Sequence, residues 1–178
     1  MAYKVLNNVQ LKDATGVSSL STDMLVLVIN KNTKNDTSFM ELNKKSKNYL
    51  SKTIKSHVDQ PGRSILLPKI DGINAKHILL VKGLDTDAPT HKWLSLYQSI
   101  AQKGNQNKCK DISVMPGTVS PKGKDELWLI EMVSKTIESN VYIFSETKNK
   151  TSKKPSVKKL TILTTGLTGS KLTKAKQA

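Results

Sequence analysis

Cysteine is nearly absent from this chain, and its scarcity limits the chemistry available. Cys109 is the single cysteine among 178 residues, which excludes an internal disulfide and a zinc site built from several thiolates. No base accompanies Cys109 in the sequence, so we interpret it as a structural residue near a strand start and not as a nucleophile. A chain without disulfides is typical of a reducing compartment, and we expect a cytoplasmic location.

Arginine and aromatic residues are also scarce, which bears on nucleic-acid binding. Arg63 is the only arginine beside 28 lysines, and aromatic residues make up 4% of the chain. Bidentate recognition of guanine and phosphate favours arginine, and exposed bases stack on aromatic rings. The net charge of +15 therefore predicts weak, salt-sensitive attraction to polyanions such as DNA, without sequence specificity.

Acidic residues are missing from residues 148–178, which carry nine lysines and hence a charge of +9. Residues 1–147 hold 20 basic and 14 acidic residues and carry only +6. Three interpretations of the lysine-rich segment stay open: a nucleic-acid-binding tail, a linker and a solvated surface. The simplest is an exposed connection that leaves the domain after Phe144 and returns to add a strand.

Long hydrophobic runs are absent as well. The longest apolar run, 24–29, is the length of a strand and far from the roughly 20 residues of a membrane-spanning helix. The N-terminal residues MAYKVLNN lack the pattern of a secretory signal. We therefore expect no membrane partner.

The apolar runs that are present alternate with segments of helical period, which is typical of α/β layering. The pattern predicts helices at about 44–58, 89–103 and 124–139, with Gly104 as the stop of the second. It predicts an α/β fold of three layers, in which a mixed, mostly parallel sheet of five to seven strands has helices on both faces. The strand candidates are Tyr3–Leu6, Met24–Ile29, Arg63–Leu67, His77–Val81, Ile112–Met115, Val141–Phe144 (a short strand or a loop) and Leu160–Leu163.

No residue pattern in the chain predicts a catalytic, cofactor-binding or metal-binding site. His57 falls on a helical apolar stripe, which favours a core or boundary histidine, whereas His77 and His91 are expected to be at least half exposed. Asp85 and Asp87 follow a strand, where α/β ligands often bind, but turn formation and helix capping explain them more simply. Asp125 and Glu126 fit a helix N-terminus. The segment 165–171, TGLTGSK, lacks the glycine spacing of a phosphate loop, and we interpret it as a connection.

The order of these segments resembles the amino-terminal, non-catalytic domain of the leucyl (cytosol) aminopeptidase family, over about residues 3–165. The resemblance lies in the helices that precede residue 60 and follow Ala88, and in TDMLVLVI (22–29), QPGRSILLPKI (60–70), HILLVKGLD (77–85), KDISVMP (110–116), VYIFSETKNK (141–150) and KKLTIL (158–163).

This resemblance implies a macro-domain-like α/β fold for residues 1–165 and, for residues 166–178, the start of a linker or helix toward a catalytic domain. In the family that larger domain holds two divalent metals, zinc or manganese, and removes amino-terminal residues from peptides as a hexamer. Its signature Asn-Thr-Asp-Ala-Glu-Gly-Arg does not occur here. We therefore expect a fragment or separately expressed domain that is inactive alone and serves assembly and positioning.

Two alternatives remain beside that reading. One is a basic nucleic-acid-binding module, and the other is a macro-like binder of nucleotides or ADP-ribose. One departure from the family pattern counts against a macro-like ligand site. Relatives often have Gly-x-Gly after the Leu-Leu-Val strand, whereas this chain has Lys82-Gly83-Leu84-Asp85.

Overall fold

In the part of the chain that the structure describes, six β-strands form one sheet that is covered by α-helices on both faces. The computed structural model describes residues 8–117, 119–141 and 156–165. The strands are β1 (Asn8–Asp13), β2 (Met24–Ile29), β3 (Ser64–Leu67), β4 (His77–Lys82), β5 (Asp111–Met115) and β6 (Lys159–Thr164). The helices are α1 (Thr37–Lys45), α2 (Tyr49–His57), α3 (Thr90–Gln106) and α4 (Glu126–Val141).

The strands lie in the order β1-β6-β5-β2-β4-β3, and all neighbours are parallel except the pair β3–β4. Strand β2 is central, and its Met24 aligns with His77 of β4 and Ile112 of β5. All six residues of β2 are buried, as expected of a parallel strand that is covered on both faces. The predicted mixed, mostly parallel sheet between helices is confirmed.

Two hydrophobic clusters fill the spaces on either side of the sheet. One face carries Met24, Val26 and Val28 of β2 and packs on α3 and α4 through residues such as Trp93 and Val133. The other face carries Leu25, Leu27 and Ile29 and packs on α1 and α2 through Phe39, Leu42 and Leu50. Alternate residues of one strand thus serve two cores, which explains why β2 is apolar throughout.

The predicted helix at 44–58 is two helices, because the chain turns sharply between them. Lys47 and Asn48 have left-handed φ values of 51° and 64°, a conformation that ends a helix. Helix α1 begins earlier than predicted because the Asp36 carboxylate accepts hydrogen bonds from the N–H groups of Ser38 (2.8 Å) and Phe39 (3.1 Å). Such an N-cap fixes a helix start.

Other expectations were wrong at helix ends and at one sheet edge. Gly104 lies buried inside α3 and does not end it; the glycine is there because the sheet packs too closely for a side chain. Helix α4 continues through Val141. The strand or loop predicted at Val141–Phe144 therefore cannot start at Val141. Strand β1 was missed because an edge strand with one neighbour needs few apolar residues. The expected strand Tyr3–Leu6 and the stretch 142–155 lie outside the described residues.

Candidate functional site

The three histidines lie in separate parts of the structure. His57 is exposed at the end of α2, and its Nδ1 lies 2.6 Å from the hydroxyl of the neighbouring Ser56. The expectation of a core or boundary position for His57 was wrong, since α2 turns that side chain to solvent. His77 is half-buried at the start of β4 and His91 is exposed on α3, as predicted.

The acidic residues singled out in the sequence act mainly in local structure. Asp85 and Asp87 are exposed in the turn between β4 and α3, where the Ala88 N–H donates to the Asp85 carbonyl at 3.0 Å. Neither caps α3, whose N-cap residue Pro89 forms no side-chain capping bond. Asp125 does act at a helix start, because its carboxylate accepts from the Trp128 N–H at 2.8 Å. The expected turn and helix-terminus roles are therefore confirmed, apart from capping by Asp85 and Asp87.

A charged network lies at the amino-terminal edge of the sheet. The Asp23 carboxylate pairs with Lys76 Nζ at 2.7 Å and accepts from the Lys110 N–H at 2.7 Å and from the Asp111 N–H at 3.3 Å. Burial alone raises the pKa of Asp23, but these hydrogen bonds outweigh burial, and its pKa lies below the ordinary 3.8. The network therefore stabilises the strand starts and is not poised for proton transfer.

Cys109 lies next to this network, and its thiol is expected to have low reactivity. It is 2% exposed, and burial raises the pKa of its thiol, so little thiolate forms at neutral pH. The predicted position of Cys109 near a strand start is confirmed, since β5 begins at Asp111.

A shallow recess lies at the opposite, carboxyl edge of the sheet, where ligands of open α/β sheets usually bind. It is bounded by the N-terminus of α1 and by the ends of β2, β5 and β6. One part has a volume of about 290 Å³, counted with its open side, and the adjoining part about 260 Å³. We call both parts together the carboxyl-edge recess; its lining residues are Leu27, Val28, Thr33, Asp36, Phe39, Met115, Pro116, Gly117, Glu126, Leu163, Thr164 and Thr165.

Asn30 is the unusual side chain beside this recess. It directly follows β2, is 8% exposed, and its Nδ2 has no hydrogen-bond partner among the described residues. A Cβ on Gly83 would lie 1.9 Å from Asn30 Oδ1, and a Cβ on Gly117 would lie 2.5 Å from Asn30 Nδ2. Both neighbouring strands thus end in glycines that make room for this amide. A buried donor without a partner costs about 1–3 kcal/mol and calls for an explanation.

Sequence reasoning missed this arrangement, although a signal was present. Three apolar strands each end in a small or amide residue, in VIN (28–30), VKG (81–83) and MPG (115–117). Only the parallel pairing of β4 and β5 on either side of β2 brings Asn30, Gly83 and Gly117 together.

The described residues do not fit the two divalent metals that the family resemblance implies. Within ranges 8–117, 119–141 and 156–165, no group of three or more His, Cys, Asp or Glu residues converges as metal ligands. The part of the chain that the structure describes also contains no helix long and apolar enough to cross a membrane.

Comparison with known proteins identifies the family to which the chain is similar. Residues 25–151 match the family model described as "Cytosol aminopeptidase family, N-terminal domain". A probable cytosol aminopeptidase of Haemophilus influenzae strain PittEE is 26% identical over 134 residues, which are 74% of this chain and 27% of the relative. The cytosol aminopeptidase of strain Rd is 25% identical over the same shares. The chain therefore spans about a quarter of the length of these curated relatives.

Solved structures show the same fold. A tomato leucine aminopeptidase mutant superposes with a TM-score of 0.66 at 20% identity, over 99% of this chain and 36% of that chain. The Trypanosoma brucei macrodomain in complex with ADP superposes with a TM-score of 0.69 at 12% identity, over 98% and 70%. The same macrodomain in complex with ADP-ribose gives 0.67 at 13% identity, over 97% and 69%. These neighbours confirm the predicted macro-domain-like fold.

Sequence match, relatives and sheet topology agree: the chain belongs to the cytosol aminopeptidase family and carries its amino-terminal domain.

Proposed function

We propose that this domain serves assembly and positioning in a cytoplasmic di-metal aminopeptidase and has no catalytic role of its own. The match of residues 25–151 to the family's N-terminal domain is the observation that carries the proposal. The separation of the three histidines and the structural use of Asp23, Asp36 and Asp125 also support it. Zinc or manganese would be bound by a catalytic domain of the same polypeptide, and the intact enzyme would form hexamers.

The first test is an assay of the purified chain with leucyl p-nitroanilide and added manganese or zinc. We expect no release of nitroaniline, with a full-length cytosol aminopeptidase as the positive control. Metal-dependent turnover that co-purifies with the chain would overturn the non-catalytic assignment.

The second test addresses assembly. Mixing the chain with a separately produced catalytic domain of a cytosol aminopeptidase should give a complex, measured by light scattering, that is larger than either part. An unrelated protein of similar size serves as the mixing control. An unchanged mass in the mixture would contradict an assembly role.

A second candidate function is binding of a nucleotide-type ligand at the carboxyl-edge recess. The Nδ2 of buried Asn30, which has no hydrogen-bond partner among the described residues, favours it, together with the likeness to a macrodomain whose structures contain ADP and ADP-ribose. Calorimetry with ADP-ribose is the direct test, and absence of heat at millimolar ligand would count against that ligand.

A further inference from the structure

The chain leaves the described part of the domain at the carboxyl edge of the sheet. There the Thr164 carbonyl accepts from the Ala14 N–H at 3.0 Å, and the Thr165 hydroxyl donates to Asp36 Oδ2 at 3.4 Å. The other carboxylate oxygen of Asp36 caps helix α1. Thr165, the last described residue, is thus attached to the start of α1.

The family match indicates what lies beyond this point in a cytosol aminopeptidase. The matching family model is that of the N-terminal domain, and the 134 aligned residues are 27% of the Haemophilus influenzae relative. Most of a relative's polypeptide therefore follows a domain of this fold. Because β6 runs parallel to its neighbours and ends at the carboxyl edge, a catalytic domain that follows β6 is joined to the domain at that edge.

The exposed large hydrophobic side chains of the described residues divide between the two edges of the sheet. Met40 (48% exposed) and Leu94 (36%) lie in the first two turns of α1 and α3. Both helices begin at the carboxyl edge, because each follows a parallel strand, β2 or β4, that ends there. Tyr49 (48%) and Val9 (41%) lie at the starts of α2 and β1, at the amino edge.

A tryptophan adds to the apolar groups at the carboxyl edge. Helix α4 begins at this edge, since its first residue, Glu126, lines the carboxyl-edge recess together with Thr165. Trp128 is half-buried in the first turn of α4, and Lys124 Nζ lies 5.4 Å from the centre of its ring. Tryptophan and methionine are enriched in protein–protein interfaces, and tryptophan is common among the residues that dominate binding energy. The carboxyl edge therefore has the composition of a protein contact.

We infer that the carboxyl edge of the sheet is the face on which the catalytic domain of a cytosol aminopeptidase docks, with Met40, Leu94 and Trp128 in the contact. The inference rests on the proposed assembly function and gives that function a location. A covalent connection at this edge raises the effective concentration of the catalytic domain near the surface around it. A modest apolar contact is then sufficient to hold the two domains together.

The experiment extends the mixing test with matched charge substitutions. Met40→Lys and Leu94→Lys place a charge at the carboxyl edge, whereas Tyr49→Lys and Val9→Lys place one at similarly exposed positions of the amino edge. Light scattering over a concentration series gives the affinity of each 178-residue variant for the separately produced catalytic domain. Each carboxyl-edge change should weaken the complex about tenfold, and each amino-edge change by no more than about twofold. Unchanged urea midpoints would show that the variants are folded.

Fluorine NMR gives a second measurement, which leaves the apolar contact unaltered. Trp93 and Trp128 are the two tryptophans of the chain, so a chain labelled with fluorotryptophan gives two signals, and Trp128→Phe assigns them. On addition of unlabelled catalytic domain, the signal of Trp128 should shift. The signal of Trp93, which is fully buried, should keep its position.

The possible failures separate the inference from the assembly function. Equal weakening by changes at both edges, or an unshifted Trp128 signal in a complex that does form, would overturn the docking face and leave the assembly function intact. Self-association of the chain alone that Met40→Lys abolishes would assign the face to a second copy and would also overturn the inference. Absence of any complex with the unaltered chain would overturn both.

Discussion

At the scale of single residues, a few buried positions set the packing of this domain. Gly104 is one: a Cβ there would lie 2.3 Å from Ile112 Cδ1 and 3.1 Å from Val157 Cγ2. Helix α3 therefore rests directly on β5 and on the segment before β6. Tyr97 on the same helix donates from its hydroxyl to the Pro116 carbonyl at 3.2 Å, and burial raises the pKa of that hydroxyl.

Gly104→Ala should destabilise the domain, although alanine ordinarily stabilises a helix. The helix preference of alanine is worth about 0.5–1 kcal/mol, whereas overpacking a core costs about 1–3 kcal/mol. We expect a net loss of about 1 kcal/mol in urea unfolding. Ile112→Val removes the clashing Cδ1, so the double variant should lose less than the sum of the single changes. Strict additivity would contradict the packing explanation.

Asp23→Asn should lower stability at neutral pH but not in acid. Because the pKa of Asp23 in the folded state lies below 3.8, its contribution is complete above that pH and is lost as pH falls through the folded-state value. We expect a loss of about 1 kcal/mol at pH 7, shrinking below pH 3.8, measured by urea unfolding across pH. Asp87→Asn, in an exposed turn, is the control, and an equal pH trend in both variants would refute a special role for Asp23.

At the scale of elements, the turn between α1 and α2 shows what a periodic pattern misses. The apolar stripe of the helix predicted at 44–58 begins only at Tyr49 and Leu50, so it gives no information on Lys47, which adopts a left-handed φ of 51° that lysine disfavours. Its side chain is exposed, so only the backbone is under strain.

Lys47→Gly should therefore stabilise the domain by about 0.5–1 kcal/mol, since glycine adopts this conformation without penalty. Lys45→Gly is the matched control: it lies in the last turn of α1 and should destabilise by up to about 1 kcal/mol. Thermal or urea unfolding of the two variants gives the comparison. Destabilisation by both changes would mean that the Lys47 side chain has a role of its own.

Continuous apolar runs predicted the elements well, whereas close backbone contacts were beyond sequence reasoning. Strands β2 and β4 and helices α3 and α4 follow from their runs and stripes, because burial on both faces leaves a clear signal. Gly104 misled the prediction, since a glycine that ends a helix and one that lets a sheet approach look alike in sequence. The recess was missed for a related reason: Asn30, Gly83 and Gly117 are neighbours only across strands.

At the scale of the whole molecule, the uneven charge leads to a prediction about polyanions. We propose that binding of duplex DNA, where it occurs, is weak and steered by lysines 148, 150, 153 and 154 in the sequence, which lie outside the described residues. Changing these four to glutamine should reduce the slope of log K against log salt by about 3–4. Mobility-shift titrations at several salt concentrations provide the measurement.

Changing Lys44, Lys45, Lys52 and Lys55 on α1 and α2 removes the same charge elsewhere and should alter that slope less. Equal effects of the two sets would indicate diffuse attraction to the whole surface. Absence of any shift at low salt would end the DNA hypothesis.

The sheet order also has a consequence for how the protein is made. Among the residues that the structure describes, strand β1 pairs only with β6, and Asn8 aligns with Lys159, about 150 residues later. During synthesis, β1 emerges from the ribosome long before β6 and has no pairing partner in that interval. The strands at the centre of the sheet can already pair at that stage. Completion of this edge is therefore a late step of biogenesis, and a chaperone that shields β1 in the meantime would act on the most vulnerable stage.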